Sequence, residues 1–261
     1  MNDAAALDFG RLGPPAGARL LVIGGCGGLG RALVQHAERL GLSVTIMDLP
    51  QAGERRGIAT DERFIEVDLR NEDSVRSAFA RLRSIGGVLD GVAICSGYTK
   101  GHDRIEGLDV ARFDDVLAGN LRGPVLAMRA ALPLLAPEAS VVVLTTGIGQ
   151  IGAPGYAGYG ASKAGLNAII RILAAEVAPG IRVNGVAPGA VDTAFIRGGF
   201  AEGASESGDP ERFDAAEYNR RVPMGRMAVS DDVVGPMLFL LSDNARYVTG
   251  QVLHVNGGAL M

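Results

Sequence analysis

Short apolar segments alternate with longer amphipathic segments along most of the chain. Buried strands are predicted at 19–24, 42–48, 63–69, 89–97, 140–147, 181–189 and 250–255. Helices are predicted between them, at about 29–41, 71–85, 110–135, 156–177 and 230–241. In the first of these helices, Leu29, Leu33 and Ala37 recur at helical spacing on one face. The alternation predicts a doubly wound α/β fold, in which helices cover both faces of a parallel sheet.

Two segments interrupt the alternation. Residues 1–18 contain several glycines and prolines without a sustained period, so we expect an N-terminal arm ahead of a single domain at 19–261. Residues from about 194 to 221 are rich in glycine and charge and follow the carboxyl end of a predicted strand. A long loop at that position is typical of a substrate lid, and an inert insertion is the alternative.

Composition restricts what the chain is expected to bind. Hydrophobic residues make up 48% and charged residues 21% of the 261 residues, as in globular proteins. The net charge of −4 argues against a nucleic-acid partner, which would need a basic surface. No apolar run reaches the roughly 18 residues of a membrane span, and the N-terminus lacks the pattern of a signal peptide. Cys26 and Cys95 fit neither a disulfide framework nor the spacing of a metal site. We therefore expect a cytoplasmic protein with reduced thiols, no membrane partner and no metal.

A glycine-rich turn follows the first predicted strand. In "VIGGCGGLGRAL", Gly24, Gly28 and Gly30 are spaced so that the backbone can approach a pyrophosphate. The N–H groups at the start of the next helix would point at the same phosphates. A tight turn without a ligand is the alternative, but the position in the first strand–helix unit favours a dinucleotide.

Acidic residues end the next two predicted strands. Asp48 lies where a carboxylate can bind the adenosine ribose and repel a 2′-phosphate, which favours NAD over NADP. Arg55 and Arg56 follow it and could bind that phosphate instead. Asp68 is a candidate for the adenine amino group, with a plain role at the strand end as the alternative.

Tyr159 and Lys163 form the most informative pair in the chain. Lys163 and Lys100 are the two lysines among 25 basic residues. Residues four apart on a helix are neighbours, so the phenol and the ammonium should project to one place. A cation about 4 Å away at an effective dielectric of about 20 would favour the phenolate by about 4 kcal/mol and lower its pKa by about three units. The pair therefore predicts a proton-transfer site, with a solvated pair on a helix face as the alternative.

These motifs together resemble the classical short-chain dehydrogenase/reductase family, from about Arg19 to Gly258. Three further segments carry the resemblance: "GNLRG" at 119–123, "IRVNGVAPGAVDT" at 181–193 and "YVTGQVLHVNGG" at 247–258. The resemblance implies a seven-stranded Rossmann sheet and hydride transfer between a nicotinamide and a secondary alcohol or ketone. It also implies a homotetramer, formed through the helices that carry Asn120 and Tyr159.

The resemblance assigns roles to single residues. Tyr159 would be the general acid/base, Lys163 would bind the ribose and tune the phenol, and Asn120 would hold a water in the proton relay. For Asn120, a polar kink near Pro124 is the alternative. Fifteen residues are expected around the dinucleotide: Gly24, Gly28, Leu29, Gly30, Asp48, Asp68, Leu69, Ser96, Gly97, Tyr159, Lys163, Pro188, Gly189, Val191 and Thr193.

The chain departs from the family pattern at four places. Thr146 stands where the family has its catalytic serine, 13 residues before Tyr159, and Thr145 is the neighbouring candidate. A threonine hydroxyl can make the same hydrogen bond. "ICSG" at 94–97 replaces Asn-Asn-Ala-Gly after the fourth strand. Ile23 replaces a threonine, and Asn256 replaces an aspartate.

Two other functions remain open at this point. One is a dinucleotide-binding regulatory protein without turnover. The other is a sugar-nucleotide epimerase or dehydratase, for which the chain lacks the length of a larger C-terminal substrate domain. The lid offers two kinds of substrate contact, apolar (Phe195, Phe200, Phe213, Tyr218) and basic (Arg197, Arg220, Arg221).

Overall fold

The computed structural model describes residues 8–100, 102–198 and 213–261, and these hold seven strands and eight helices. The strands are β1 Arg19–Ile23, β2 Ser43–Asp48, β3 Phe64–Glu66, β4 Leu89–Ile94, β5 Leu135–Leu144, β6 Arg182–Pro188 and β7 Val252–Val255. The helices are α1 Gly28–Arg39, α2 Pro50–Arg56, α3 Glu72–Ile85, α4 Val110–Leu117, α5 Gly123–Ala131, α6 Ala157–Val177, α7 Ala215–Arg221 and α8 Ser230–Leu241.

The strands form one parallel sheet in the order β3-β2-β1-β4-β5-β6-β7. The chain winds outward from β1 in one direction and from β4 in the other. The connections therefore diverge between these two strands and leave a crevice at their carboxyl ends, where ligands bind in such sheets. The predicted doubly wound seven-stranded fold in a single domain is confirmed.

Two hydrophobic clusters cover the two faces of the sheet. On β1, Leu21 and Ile23 face the cluster that includes α3, α5 and α6, whereas Leu20 and Val22 face the cluster that includes α1 and α8. Alternate side chains of a strand point to opposite faces. Both faces are buried here, which explains why the strands appear in the sequence as continuous apolar runs.

The long helical region predicted at 110–135 is divided. A π-helical turn, Ala118–Arg122, separates α4 from α5, and a 3₁₀ turn follows at Leu132–Leu134. Pro124 lies near the start of α5 and has no N–H to donate to the carbonyl of Asn120. The missing donor accounts for the local change of helical geometry, which places Asn120 in the π-helical turn.

Two helices were not predicted. α2 begins at Pro50, two residues after Asp48, and is capped at its C-terminus by Gly57 in the left-handed conformation. α7 lies within the predicted lid, where the side chain of Asp214 accepts from the N–H of Glu217 at 2.8 Å. Residues 199–212 of the lid, including Phe200, lie outside the described residues.

Residues 8–18 of the predicted arm contain neither helix nor strand, and they pack on the rest of the fold. Arg11 donates to the carbonyl of Leu40, at the end of α1, and its own carbonyl accepts from Asn244 at 2.9 Å. Among the described helices, none has the length and apolar character needed to cross a membrane.

Candidate active site

The glycine turn after β1 packs directly against the segment that follows β4. Gly24 has a φ of +81°, and a Cβ there would lie 2.5 Å from the backbone nitrogen of Ser96. A Cβ on Gly30 would overlap the carbonyl oxygen of Gly24. A Cβ on Gly28 would lie 2.8 Å from Cγ2 of Thr193, beyond β6. The absence of side chains thus brings three chain segments together at the crevice between β1 and β4.

The hydroxyl of Ser96 tests whether this crevice suits a dinucleotide. Its Oγ is buried and has no hydrogen-bond partner within the described part of the chain. Buried polar atoms are nearly always paired, so an orphaned hydroxyl beside a glycine cradle fits a polar ligand. Leu69 is buried in one hydrophobic cluster and Leu29 packs against the other, so their contacts with a dinucleotide stay predictions.

Asp48 connects the end of β2 to the glycine turn. Its two carboxylate oxygens accept from the N–H groups of Cys26 and Leu49, each at 2.8 Å. Burial raises the pKa of the Asp48 carboxyl, against the opposing effects of these hydrogen bonds and of Arg55. Arg56 donates to the carbonyl of Cys26 at 3.1 Å. Both the acid that would bind a ribose and the arginines that would bind a 2′-phosphate therefore lie at this end of the crevice.

Asp68 is held by an arginine that the sequence analysis missed. Nε and Nη2 of Arg70 donate to the two carboxylate oxygens of Asp68 at 3.0 and 2.8 Å. This pairing lowers the pKa of the Asp68 carboxyl. Asp68 thus lies at the end of β3 in an ion pair, and its contact with adenine stays a prediction.

Tyr159 lies in the first turn of α6, opposite the end of β5. Its phenol lies beside the side chain of Thr146, which is buried and whose Oγ1 accepts from the N–H of Ile148 at 3.4 Å. Thr145 turns away and donates to the carbonyl of Val186 on β6 at 3.4 Å. Of the two threonines, Thr146 therefore occupies the position next to the phenol.

Lys163 reaches the crevice one turn further along α6. Its side chain is buried, and Nζ donates to the carbonyl of Leu144 at 3.0 Å and lies 6.0 Å from the centroid of the Tyr159 ring. A Cβ on Gly97 would come within 3.1 Å of Nζ and 3.7 Å of Oδ1 of Asn120. The predicted residues Tyr159, Lys163, Gly97 and Asn120 are thus neighbours.

Burial decides the protonation of this pair. Burial raises the pKa of the Tyr159 phenol, although the neighbouring side chain of Thr146 acts in the opposite direction. Burial also lowers the pKa of Lys163 to about 8. The expectation that Lys163 by itself lowers the pKa of the phenol is therefore wrong for the chain without cofactor. Burial removes water from both the phenolate of Tyr159 and the ammonium of Lys163, which disfavours both charged forms. The ammonium donates to the main-chain carbonyl of Leu144.

Asn120 is fully buried, and the main chain of Tyr98 occupies both ends of its amide. Nδ2 donates to the carbonyl of Tyr98 at 2.6 Å, and Oδ1 accepts from the N–H of Tyr98 at 3.0 Å. An amide offers two hydrogens and two lone pairs, so one of each is left. Asn120 braces the loop after β4, and its contact with a relay water stays a prediction.

The segment after β6 supplies the predicted nicotinamide border. Pro188 ends β6, Val191 pairs with Ala228, and the N–H of Thr193 donates to the carbonyl of Val191 at 2.8 Å. A Cβ on Gly189 would lie 2.7 Å from the hydroxyl of Tyr218 on α7. The last part of the predicted lid is therefore packed on this border.

Aromatic rings surround the candidate acid/base. The ring of Tyr159 lies 6.0 Å from that of Phe195 and 6.4 Å from that of Tyr156, between centroids. His102, which no motif indicated, stacks edgewise on Tyr156 at 4.4 Å. A small pocket borders Tyr159, and its lining includes Lys100, Asp103 and Arg112.

The lid arginines are engaged by acids of the chain. Arg197 pairs with Asp192, and both Arg220 and Arg221 pair with Glu217. These ion pairs favour the interpretation of solvated surface charge over a dedicated carboxylate site.

The departures from the family pattern are accommodated locally. The carbonyl of Ile23 accepts from the N–H of Cys95 at 2.7 Å, and burial raises the pKa of the Cys95 thiol to about 12. Asn256 accepts from the N–H of Gly258 and donates to the carbonyl of Leu260, each at 3.0 Å. Asn256 therefore braces the C-terminal turn without a charge.

The chain is similar to known proteins over most of its length. A family model described as enoyl-(acyl carrier protein) reductase matches residues 24–259. An uncharacterized short-chain type dehydrogenase/reductase of Sinorhizobium fredii is 32% identical over 246 residues, which are 93% of this chain but 43% of that protein, so the chain spans less than half of its length. A 3-oxoacyl-(acyl-carrier-protein) reductase of Staphylococcus aureus is 28% identical over 251 residues, 92% of this chain and 97% of that protein. The crystal structure of a short-chain dehydrogenase/reductase, named as a glucose/ribitol dehydrogenase, from Brucella melitensis superposes with a TM-score of 0.84 at 27% identity and covers 95% of this chain and 99% of its own.

Proposed function

Because this chain belongs to the short-chain dehydrogenase/reductase family, we propose that it transfers a hydride between a nicotinamide cofactor and a secondary alcohol or ketone. One observation carries the proposal. Tyr159 lies half-buried at the start of α6, beside the hydroxyl of Thr146, with the ammonium of Lys163 6.0 Å from its ring. A phenol, a hydroxyl and an ammonium in this arrangement can protonate or deprotonate an oxygen on a reacting carbon.

The residues of the crevice divide the binding of the dinucleotide among them. The turn at Gly24 and Gly30 would hold the pyrophosphate, Asp48 the adenosine ribose and Lys163 the nicotinamide ribose. The orphaned hydroxyl of Ser96 would gain its missing partner. When bound, the nicotinamide supplies or accepts the hydride.

Tyr159 and Thr146 would handle the oxygen of the substrate. The raised pKa keeps the phenol protonated at neutral pH, which is the form that ketone reduction needs. Thr146 would donate to the same oxygen and hold it beside the phenol. Alcohol oxidation would need the phenolate, so added positive charge near Tyr159 would favour that direction.

The experiment is a turnover panel with NADH and NADPH. Substrates should include a 3-oxoacyl thioester and an aldose/polyol pair, because relatives carry both kinds of name, together with simple ketones. Tyr159→Phe should lower kcat about 10²- to 10⁴-fold for whichever compound is turned over. Tyr247→Phe is the matched control, since that side chain is fully exposed.

Two outcomes would count against the proposal. Full turnover by Tyr159→Phe would remove the phenol from the mechanism. Dinucleotide binding without turnover of any panel member would favour the alternative of a regulatory protein on the same fold.

The preference for NAD over NADP belongs to the same proposal and rests on Asp48. A carboxylate at the ribose repels a 2′-phosphate, so KM for NADP should exceed that for NAD by about tenfold or more. Asp48→Ala should lower the ratio of KM for NADP to KM for NAD. Asp73→Ala, on the exposed first turn of α3, should leave that ratio unchanged. A wild-type preference for NADP would show that Arg55 and Arg56 determine the choice instead.

A homotetramer and a cytoplasmic location also stay proposals. The start of α6 presents small residues such as Ala161 and Ala164 around a hollow that also includes Ile148 and Ile151. Such a surface can pack against a second helix. Sedimentation equilibrium would give the number of chains.

A further inference from the structure

The loop after β4 is braced by a side chain that no motif singled out. The hydroxyl of Tyr98 lies 2.7 Å from the main-chain oxygen of Asp115 and 2.8 Å from its Oδ2. The main chain of the same tyrosine is bound at both its N–H and its carbonyl by the amide of Asn120. Tyr98 is therefore held at its tip by α4 and at its backbone by the π-helical turn.

Gly119 makes this arrangement possible. A Cβ there would lie 2.5 Å from Cε1 and 2.6 Å from Oη of Tyr98, too close for any side chain. The ring thus lies directly on the helical turn that carries Asn120. Any residue larger than glycine would push the ring, and with it the loop, away from the turn.

Basic residues fix the carboxylate that receives the hydroxyl. Nζ of Lys100 lies 3.0 Å from Oδ2 of Asp115, and Nη1 of Arg70 lies 3.2 Å from Oδ1. Arg70 also binds Asp68. The contacts around Asp115 therefore run from the end of β3 to the loop after β4.

The braced loop borders both halves of the candidate site. Ser96 lies against Gly24 of the glycine cradle, and Gly97 lies against Nζ of Lys163. The side chains of Ile94 and Cys95 lack the amides that the family pattern has at these positions.

We propose that Tyr98, Asp115 and Gly119 form a positioning clamp, which holds segment 96–98 against the cofactor cradle and fixes the amide of Asn120 beside Lys163. None of the three touches the reacting atoms. The proposal rests on the proposed function for its catalytic consequence, but the clamp itself is a property of the chain.

Tyr98→Phe is the first test, because it keeps the ring and removes the hydroxyl. With a substrate from the panel, kcat should fall about tenfold while substrate KM changes less than twofold, since the site is displaced rather than removed. Asp115→Ala should lower kcat in the same direction but by less, because the main-chain oxygen of Asp115 still accepts from the Tyr98 hydroxyl, and Asp115→Asn, which keeps a side-chain acceptor, should recover most of the loss. Tyr247→Phe is again the control.

Gly119→Ala supplies a test of direct contact. Alone, it should lower kcat more than Tyr98→Phe does, because the added methyl overlaps the ring. In a Tyr98→Ser background the ring is gone, so the same methyl should cost no further activity. If Gly119→Ala lowers kcat by the same factor in the wild type and in Tyr98→Ser, the two residues act independently and the clamp is overturned.

Measurements without turnover separate this proposal from the proposed function. Hydrogen exchange of the protein without cofactor should be about tenfold faster at the amide of Tyr98 in Tyr98→Phe, and dinucleotide affinity by fluorescence titration should fall about threefold. If the wild type turns over nothing while both changes appear, the clamp stands and the proposed function falls. If Tyr98→Phe keeps wild-type exchange, affinity and kcat, the clamp falls and the proposed function stands.

Discussion

The two sides of the crevice are built on different physical principles. On the β1 side, Gly24 and Gly30 are required because they have no side chain, since a Cβ on either would overlap backbone atoms. On the α6 side, the functional groups are the half-buried phenol of Tyr159 and the buried ammonium of Lys163. The first side depends on shape, and the second depends on the cost of burying charge.

The contrast determines how each side responds to change. Steric overlap with backbone cannot be relieved by a rotamer change, so the cradle should fail abruptly. A pKa moves continuously with hydration and neighbouring dipoles, so the catalytic side should respond in graded steps. The glycine cradle can also be predicted from the sequence, because its glycines are visible there. The depth to which a side chain is buried cannot be seen in the sequence.

The largest effect is expected for Gly30→Ala. The new methyl would overlap the carbonyl of Gly24 at the start of α1. We expect dinucleotide affinity to fall more than about a hundredfold and the chain to lose several kcal/mol of stability. Fluorescence titration and thermal unfolding would measure the two losses.

Gly27→Ala is the control in the same turn. A Cβ there would lie 3.5 Å from the nearest atom, in ordinary contact, so binding should stay within about threefold of the wild type. Gly28→Ala should fall between the two, because its neighbour is the side chain of Thr193 and can shift. Equal losses at Gly27 and Gly30 would show that backbone overlap is not what the cradle depends on.

A smaller effect is expected at Thr146. Thr146→Ala removes the side-chain hydroxyl that opposes the rise in the pKa of Tyr159. We expect kcat for ketone reduction to fall about thirtyfold and the alkaline limb of its pH profile to move to higher pH, since the phenol then holds its proton more strongly.

Thr146→Ser is the matched variant, because it keeps the hydroxyl and removes only the methyl. It should stay within about threefold of the wild type with an unchanged pH profile. A Thr146→Ala protein with wild-type kcat would show that this hydroxyl does not assist the phenol.

The sequence predicted the fold well because its signals are local or repeated. Apolar runs and amphipathic helices alternate along the whole chain, and burial on both faces of the sheet makes that pattern continuous. The irregular turn at Asn120 was foreseen only as an alternative, a polar kink near Pro124, and the short helix α7 was missed. Each depends on a few atoms, the absent N–H of Pro124 and the cap of Asp214, rather than on a period.

The candidate site was predicted less completely. Spacing of four residues placed Lys163 near Tyr159, but it gave no information on hydration, and the predicted direction of the phenol pKa was wrong for the chain by itself. Arg70, Tyr98 and Asp115 escaped notice because their partners lie far away in sequence or require a helix face to be known. Gly119, next to the expected Asn120, was the one sequence signal for this cluster. Its meaning becomes clear only when the structure shows the ring of Tyr98 packed against it.

The smallest effect concerns the ammonium of Lys163. Its pKa of about 8 lies below the ordinary value of 10.5, so between these two pH values the unfolded chain binds more protons than the folded chain. The free energy of unfolding should therefore rise with pH across that window, by about 2 kcal/mol from pH 8 to 9.5. In Lys163→Met this rise should be absent. Above pH 10 the half-buried phenol of Tyr159 acts in the opposite direction, because the unfolded tyrosine then loses its proton first.

Lys100 and Lys163 are the only lysines in the chain, so the titration of each can be followed directly. Carbon-13 labelling at lysine Cε should give two NMR signals, and Lys100→Arg removes one of them. The signal that remains should titrate near pH 8 without cofactor. Titration above pH 10 would mean that the ammonium is hydrated and that burial does not govern the α6 side of the crevice, so the contrast with the glycine cradle would be lost.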